Sequence, residues 1–320
     1  MKLPVWAPTI RPNQVTALQG ILDAYNSTDV VILEAPTGAG KTLIADLVRQ
    51  SLNSRTIYSC SSISLQHQFL RDFPTAALLK GRSNYPTLDH PKQFTAKFSQ
   101  KVSCADCDKK RDSEGDWECH QCSSVYRCPY ELAKSEAVRS DLVCLNTHYF
   151  LYECNYSGAM RNRDLVIVDE CDLLEEILLS FIQVSISPKQ IEHYALPRPS
   201  KKTVQQSWIE WSCECYASLQ SQLKRLERIL SPYPTLTEIR ELKSLNNLCG
   251  DFARLVNREN GLESGNWVYD GYGEGHIIFK PISVAPYGNQ YLWQWGKRWL
   301  LMSATIISAD ELATSLGIGS

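Results

Sequence analysis

Short apolar runs alternate with amphipathic segments towards both ends of the chain. Four runs of four apolar residues lie at 30–33, 142–145, 165–168 and 299–302, and a more polar run at 55–59, RTIYS, is also strand-like. Runs of this length that are apolar almost throughout are typical of strands buried on both faces. Between them, apolar residues recur every three or four positions, which is the period of a helix with one buried face. The alternation predicts an α/β fold with a parallel sheet.

Two stretches in the middle of the chain break this pattern. Residues 84–130 are polar, charged and rich in cysteine, with too few periodic apolar residues to form a core, so we expect an insertion stapled by a metal. Residues 173–257 show two helical stripes, separated at 231–234, which predict an antiparallel helical pair. Strand-like runs at 267–269 and 277–279 flank a glycine-rich turn and predict a hairpin.

The composition is that of an ordinary globular protein. Of the 320 residues 43% are hydrophobic, and the formal net charge is −2. A protein that coats nucleic acid through a global basic field is therefore excluded, and any such contact has to come from local patches. No apolar run is long enough to span a membrane, and the N-terminus lacks the apolar core of a signal peptide. We expect a cytoplasmic protein with no membrane partner.

A glycine turn, EAPTGAGKT at residues 34–42, follows one predicted strand and precedes a helical segment. This arrangement binds nucleoside triphosphates, because the N–H groups of the turn and of the helix N-terminus point at the phosphates. Lys41 is expected to reach the β- and γ-phosphates, and the hydroxyl of Thr42 to ligate Mg²⁺. The general pattern begins with glycine, where this chain has Ala35. The predicted ATP cradle comprises Ala35, Pro36, Thr37, Gly38, Ala39, Gly40, Lys41 and Thr42.

A second part of an ATP site is indicated by the run LVIVDECD, which ends at Asp172. An acidic residue at the carboxyl end of a buried parallel strand lies at the mouth of the sheet, where nucleotides bind. We expect Asp169 to hold Mg²⁺ and Glu170 to orient and deprotonate the attacking water. An acidic helix start is the alternative interpretation, since carboxylates favour that position. The glycine turn upstream favours the interpretation of Asp169 and Glu170 as catalytic residues.

Three motifs in this order, EAPTGAGKT, VDECD and MSAT, resemble motifs I, II and III of superfamily 2 helicases. The chain also carries RPNQ at 11–14, YSCSSISLQHQF at 58–69, and then LLKGRSNYP, CPYELAKSEA and DLVCLNTHYFL. Together these runs closely resemble the XPD/DinG family of iron–sulfur helicases. Two positions depart from the family pattern. Asp172 ends the acidic box where the family usually has His, and Pro86 and Thr87 stand where its first cluster cysteine usually lies.

The resemblance implies a RecA-like ATP-binding domain with two insertions. The domain would comprise residues 1–83, 131–173 and 283–320, with an Fe–S (or zinc) insertion at 84–130 and a helical arch-like insertion at 174–282. The family's second RecA-like domain, which supplies an arginine finger, is expected to be absent. We therefore expect a fragment, or one half of a split motor, with weak ATPase activity and no unwinding by itself.

The implied function is that of the ATP-binding portion of an ATP-dependent DNA helicase, which moves 5′→3′ on single-stranded or forked DNA. Its partner would be a second RecA-like motor domain, and its cofactors ATP, Mg²⁺ and an Fe–S cluster. The alternative is a nucleotide-gated, metal-containing module that binds single-stranded nucleic acid without motor activity. The resemblance also implies that Arg11 and Gln14 contact adenine, and that Ser303 and Thr305 link hydrolysis to motion.

Five of the twelve cysteines cluster in the cysteine-rich stretch: Cys104, Cys107, Cys119, Cys122 and Cys128. Four thiolates suit either a [4Fe–4S] cluster or Zn²⁺. The spacing alone, Cys-x₂-Cys twice, is that of a zinc ribbon and leaves Cys128 unused. The resemblance around the motif CPY at 128–130 instead implies a [4Fe–4S] cluster on Cys119, Cys122, Cys128 and one further cysteine. For that fourth ligand we prefer Cys107, with Cys104 as the alternative.

Contacts to DNA are expected from polar and basic residues near these motifs. Family position favours Ser62, Gln66 and Gln68. A basic run beside Trp117 combines charge with an aromatic ring, as proteins that bind single strands do, although a solvated loop is an equal alternative. The basic candidates are Lys80, Arg82, Lys109, Lys110, Arg111, Lys201, Lys202 and Arg225.

Overall fold

The structure, a computed structural model, describes residues 3–88, 103–106, 109–111, 117–119, 128–199, 204–230, 235–271 and 275–319. Within 109–111 and 117–119 the backbone alone is described. The chain divides into two compact units. The first comprises Met1–Ala105, Cys122–Phe181 and Val284–Ser320, and the second comprises Asp106–Gln121 and Ile182–Ser283.

The described residues form strands and helices in both units. The strands are β1 (Val30–Glu34), β2 (Thr56–Cys60), β3 (Ala77–Leu78), β4 (Lys109–Arg111), β5 (Trp117–Cys119), β6 (Leu142–Asn146), β7 (Arg163–Asp169), β8 (Val184–Ile186), β9 (Trp267–Asp270), β10 (Ile277–Pro281) and β11 (Gly296–Ser303). The helices are α1 (Pro12–Ala24), α2 (Lys41–Ser51), α3 (Ile63–Asp72), α4 (Pro129–Arg139), α5 (Thr147–Tyr152), α6 (Leu174–Ile182), α7 (Pro188–His193), α8 (Gln205–Ile229), α9 (Leu236–Leu255), α10 (Gly288–Tyr291) and α11 (Ala309–Ser315).

A six-stranded parallel sheet in the order β1-β11-β7-β2-β6-β3 forms the centre of the first unit. The middle of β7 is buried, which explains why the run 165–168 is apolar throughout. β2 is buried along its whole length although it contains Thr56 and Ser59. Parallel strands end at the same edge of a sheet. The register pairs Glu34 with Ser303 and Met302 with Asp169, so the ends of three sequence motifs lie side by side.

Helix α2 is held against this sheet by its apolar face. Leu43, Ile44, Leu47 and Val48 are almost fully buried, in one core cluster with strand residues such as Ile167. Burying four such side chains stabilises this packing by several kcal/mol, at roughly 1.5–3 kcal/mol each. The start of α2 is thereby fixed relative to the ends of the strands.

The second unit contains a three-stranded antiparallel sheet, β8-β10-β9, together with the long helices α8 and α9. Its core is aromatic: Trp208 contacts Trp211, Tyr269 and Phe279, with ring centroids 4.4–5.5 Å apart. α9 begins with a capping box formed by Thr235 and the third residue of the helix. In the same unit, β4 and β5 pair in antiparallel fashion.

The predicted α/β fold, its five strands, the helical pair and the hairpin are confirmed. β1, at the edge of the sheet, is half-buried where the run at 30–33 predicts a buried strand. The prediction of helix throughout 173–257 is wrong at β8. There Val184 and Ile186 are buried while Ser185 is exposed, an alternation too short to recognise in the sequence. The domain boundaries drawn from the sequence stay predictions. None of the described helices has the length and apolar character needed to cross a membrane.

Arg163, at the start of β7, closes the C-terminal end of α4. Its side chain is 2% exposed, and it donates from Nη1 to the Ser140 carbonyl at 2.7 Å and from Nη2 to the Ala137 carbonyl at 2.8 Å. The last carbonyl groups of a helix have no partner within the helix. Replacing Arg163 by Met should therefore lower the free energy of unfolding by about 2–3 kcal/mol, measured by urea denaturation.

Lys297→Met is the matched control. Lys297 lies on the neighbouring strand and forms an ion pair with Asp164 at 2.7 Å, but its side chain is 69% exposed. An exposed pair contributes about 0–1 kcal/mol. Equal losses in the two variants would contradict the capping role of Arg163.

Candidate nucleotide-binding site

The glycine turn between β1 and α2 has a backbone that favours glycine. Gly38 and Gly40 have φ angles of +82° and +84°, in the left-handed region. A Cβ atom at Gly40 would lie 2.3 Å from Nε2 of Gln14, so a larger residue does not fit there. α2 begins at Lys41, and its unpaired N-terminal N–H groups therefore lie at the turn.

Three polar side chains hold this turn. Lys41 Nζ donates to the Ala35 carbonyl at 2.9 Å, Gln14 Nε2 to the Ala39 carbonyl at 2.8 Å, and Arg11 Nη1 to the Gly38 carbonyl at 3.3 Å. The amide oxygen of Gln14 also accepts the backbone N–H of Arg11 at 3.0 Å. Both ends of the Gln14 amide are thus engaged, and its contact with adenine stays a prediction.

Asp169 and Glu170 lie at the carboxyl end of β7, where hydroxyl groups from the end of β2 hold them. The Tyr58 hydroxyl donates to Asp169 Oδ2 at 2.8 Å, and the Ser61 hydroxyl donates to Glu170. Glu170 has a φ of +57°, a conformation that is uncommon for residues other than glycine. Burial raises the pKa of Asp169 above its usual value, while the hydrogen bond from Tyr58 opposes that rise.

Asp172 is held by residues at the end of β11. The hydroxyl groups of Ser303 and Thr305 both donate to its carboxylate, that of Thr305 at 2.9 Å. The Ser303 carbonyl in turn accepts the N–H of Ala35 at 3.1 Å. Hydrogen bonds therefore connect the glycine turn, the MSAT motif and the acidic box.

These groups line one cleft of about 800 Å³ at the carboxyl edge of the sheet. The structure thus brings together predicted residues from separate parts of the chain. Ala35, Pro36 and Ala39 belong to the turn but do not line the cleft. The predicted residues in its wall are Arg11, Gln14, Thr37, Gly38, Gly40, Lys41, Thr42, Asp169, Glu170, Ser303 and Thr305.

One wall of the cleft consists of residues that the sequence does not predict to bind nucleotide. Trp6 and Pro8 line it, together with Asp72 at the end of α3. The indole N–H of Trp6 donates to the Asp72 carbonyl at 2.9 Å, and its ring contacts Phe73 edge-on at 5.8 Å. A tryptophan shortly before RPNQ was the available signal, because a flat, 45% exposed ring suits a nucleobase.

The residues that family position favoured for DNA contact have different environments. The prediction for Gln66 is wrong, because its side chain is fully buried. Gln68 is exposed but lines the nucleotide cleft. The Ser62 hydroxyl caps α3 by accepting the N–H of Leu65 at 3.3 Å.

The basic candidates are dispersed. Lys80 Nζ lies 2.9 Å from Nε2 of His67, and the Arg82 guanidinium lies 5.2 Å from the centre of the Tyr130 ring. Arg225 lines a pocket of about 320 Å³ on α8 with Lys224 and Arg228. Lys201, Lys202 and the side chains of Lys109, Lys110, Arg111 and Trp117 lie outside the described residues.

Two of the clustered cysteines, Cys104 and Cys128, lie close together in the structure. Cys104 and Cys128 are fully buried, with their Sγ atoms 3.9 Å apart. Cys128 directly precedes α4, and a helix N-terminus favours the thiolate form. The side chains of Cys107, Cys119 and Cys122 lie outside the described residues. Within the described part of the chain, no three His, Cys, Asp or Glu residues are grouped to hold a metal ion.

Comparison with known proteins identifies relatives. A profile of the family described as "Type III restriction enzyme, res subunit" matches residues 7–172, more than half of the chain. The chain is 26% identical over 227 residues to "ATP-dependent DNA helicase YoaA" of Haemophilus influenzae, a match covering 57% of this chain and 36% of that protein. It is also 26% identical over 203 residues to a "Probable ATP-dependent helicase" of Methanocaldococcus jannaschii, covering 57% and 31%.

The chain therefore spans about a third of the length of the curated relatives it matches. A solved structure named "XPD_Helicase" aligns with a TM-score of 0.56 at 15% identity, over 98% of this chain and 61% of that one. This likeness shows the fold, a RecA-like α/β sheet with a helical insertion. The family profile covers more than half of the chain, so the chain belongs to the family described as "Type III restriction enzyme, res subunit".

Proposed function

We propose that this chain is the ATP-binding portion of an ATP-dependent DNA helicase and that it hydrolyses ATP to ADP and phosphate. One observation carries the proposal: Lys41 and Thr42 line the same cleft as Asp169 and Glu170. A protein that only binds nucleotide needs no carboxylate beyond a metal ligand. The second carboxylate, Glu170, supplies a base for hydrolysis.

The glycine turn binds the phosphates in this proposal. Lys41 leaves the Ala35 carbonyl and turns to the β- and γ-phosphates, and the N–H groups at the start of α2 bind phosphate oxygens. Thr42 and Asp169 would hold Mg²⁺, which when bound neutralises charge that develops on the phosphates. Glu170 orients the attacking water and accepts its proton.

The motor function is proposed from the resemblance and from the helicases named among the relatives. We propose single-stranded or forked DNA as the substrate, with movement 5′→3′. Asp172, Ser303 and Thr305 would transmit hydrolysis to motion through the hydrogen bonds that join them. A second RecA-like domain, elsewhere in the whole protein or on another chain, would supply the arginine finger.

Glu170→Gln tests the proposed chemistry. The amide keeps the size of the side chain but cannot accept the proton, so phosphate release should fall at least about 100-fold. The affinity for ADP, measured by isothermal titration calorimetry, should stay within about threefold, because Glu170 is not a proposed phosphate or metal ligand.

The control is Glu176→Gln, which removes an exposed carboxylate on the nearby helix α6 and should leave phosphate release unchanged. Phosphate release is compared with no nucleic acid, with single-stranded DNA and with single-stranded RNA. A wild-type chain that binds ADP and DNA but releases no phosphate would be a binding module, and the proposal would fail.

Trp6→Ala tests the proposed nucleobase wall. Stacking on an aromatic ring contributes about 1–3 kcal/mol per base, so the KM for ATP should rise about tenfold while kcat changes little. Tyr156→Ala is the control, since that ring is 68% exposed and does not line the cleft. Equal KM values for Trp6→Ala and wild type would exclude stacking on this ring.

We propose that Cys104 and Cys128 hold a thiolate-bound metal centre, with further thiolates from Cys119 and Cys122. Following the resemblance around CPY, a [4Fe–4S] cluster is the first candidate. Zinc is the second, because a tetrahedral site with Zn–S bonds of about 2.3 Å has an S–S edge of about 3.8 Å, close to the 3.9 Å between these two Sγ atoms. When bound, the centre would staple a segment that lacks its own core.

Metal analysis of four anaerobically purified proteins tests this proposal: wild type, Cys104→Ser, Cys107→Ser and Cys128→Ser. We expect the wild type to contain about four iron atoms per chain and to absorb around 400 nm. The variants Cys104→Ser and Cys128→Ser should lose this iron, whereas Cys107→Ser should keep it. Cys154→Ser, at another buried cysteine, serves as the control. Zinc that persists in Cys128→Ser would instead indicate a zinc ribbon without that cysteine.

A further inference from the structure

Tyr58 lies beside Asp169, one of the two proposed Mg²⁺ ligands. It belongs to β2, which pairs with β7, the strand that ends at Asp169. Its side chain is 3% exposed, and its ring stacks on Phe69 at 4.0 Å between centroids. Phe69 stacks in turn on Phe73 at 4.8 Å. The phenol is therefore fixed by packing and cannot swing out of the site.

The Tyr58 hydroxyl has one of the two proposed Mg²⁺ ligands as its partner. It donates to Asp169 Oδ2 at 2.8 Å. The other oxygen of the carboxylate, Oδ1, accepts the Glu170 N–H at 3.2 Å. The orientation of the carboxylate is thus fixed at both oxygens, each of which keeps a second lone pair.

A hydroxyl donor whose ring is packed against Phe69 suits an outer-shell residue, which orients a metal ligand without touching the metal.

We infer that Tyr58 is a positioning residue for Mg²⁺: it holds the Asp169 carboxylate in place for the metal that accompanies the nucleotide. The inference rests on the proposed nucleotide function of the cleft. It gives Tyr58, the first residue of the YSCSSISLQHQF run, a role at the metal site that is separate from contact with DNA.

Tyr58→Phe removes the hydroxyl and keeps the ring that stacks on Phe69. The affinity for ADP is measured by isothermal titration calorimetry in MgCl₂ and, separately, in EDTA. Losing an outer-shell partner typically weakens metal binding about 10–100-fold. The gain in ADP affinity that Mg²⁺ provides should therefore fall about tenfold in Tyr58→Phe, while the affinity in EDTA stays at the wild-type value.

Tyr25→Phe is the matched control. Tyr25 is another buried tyrosine of the same unit, and its hydroxyl donates to the Trp299 carbonyl at 3.0 Å, away from the cleft wall. Losing that hydroxyl should leave ADP affinity unchanged in both buffers.

Two results would overturn the inference. One is an unchanged Mg²⁺ effect in Tyr58→Phe, and the other is an equal loss of ADP affinity in MgCl₂ and in EDTA, which would give Tyr58 a structural role alone. Failure of the proposed function has separate signatures in the wild-type chain: it would bind no ADP in either buffer, or it would bind ADP but release no phosphate from ATP.

Discussion

The parallel register of β1, β11, β7 and β2 is the constraint on which the rest of the structure depends. It sets Glu34 beside Ser303, and Met302 beside Asp169, so that three motifs more than a hundred residues apart end at one edge of the sheet. Side chains alternate between the two faces of a strand. A slip of one residue would turn Asp169 to the opposite face of the sheet, so assembly of the cleft depends on this register.

Around that edge, the carboxylates are held by hydroxyl groups. Tyr58 and Ser61 from the end of β2 bond to Asp169 and Glu170, and Ser303 and Thr305 bond to Asp172. A half-buried carboxylate such as Asp169 is costly without partners. Neutral donors satisfy it without adding a cation that would compete with the proposed Mg²⁺, and this leaves Lys41 for the proposed contacts to phosphate.

The sequence predicts the sheet, the glycine turn and the acid positions well, because each depends on local pattern: a buried run, the glycines at 38 and 40, and acids directly after a strand. It does not predict Trp6 in the cleft wall or the burial of Gln66, because these depend on how α3 and the N-terminal segment pack. The proximity of Cys104 to Cys128 also depends on tertiary packing, because 24 positions separate them in the sequence. β8 was missed because three residues are too few to show a period.

Lys41 and Gln14 each donate a hydrogen bond to a carbonyl of the turn that they flank. A ligand that draws the Lys41 ammonium away from the Ala35 carbonyl exchanges one bond for another, and only the difference between the two favours its entry. Neutral or weakly charged ligands offer acceptors no better than a carbonyl. Phosphate oxygens, through charge-assisted bonds roughly twice as strong, do offer better ones. The Ala35 carbonyl thus competes with an arriving ligand for Lys41. A ligand with a low charge density does not displace this carbonyl, whereas a phosphate does.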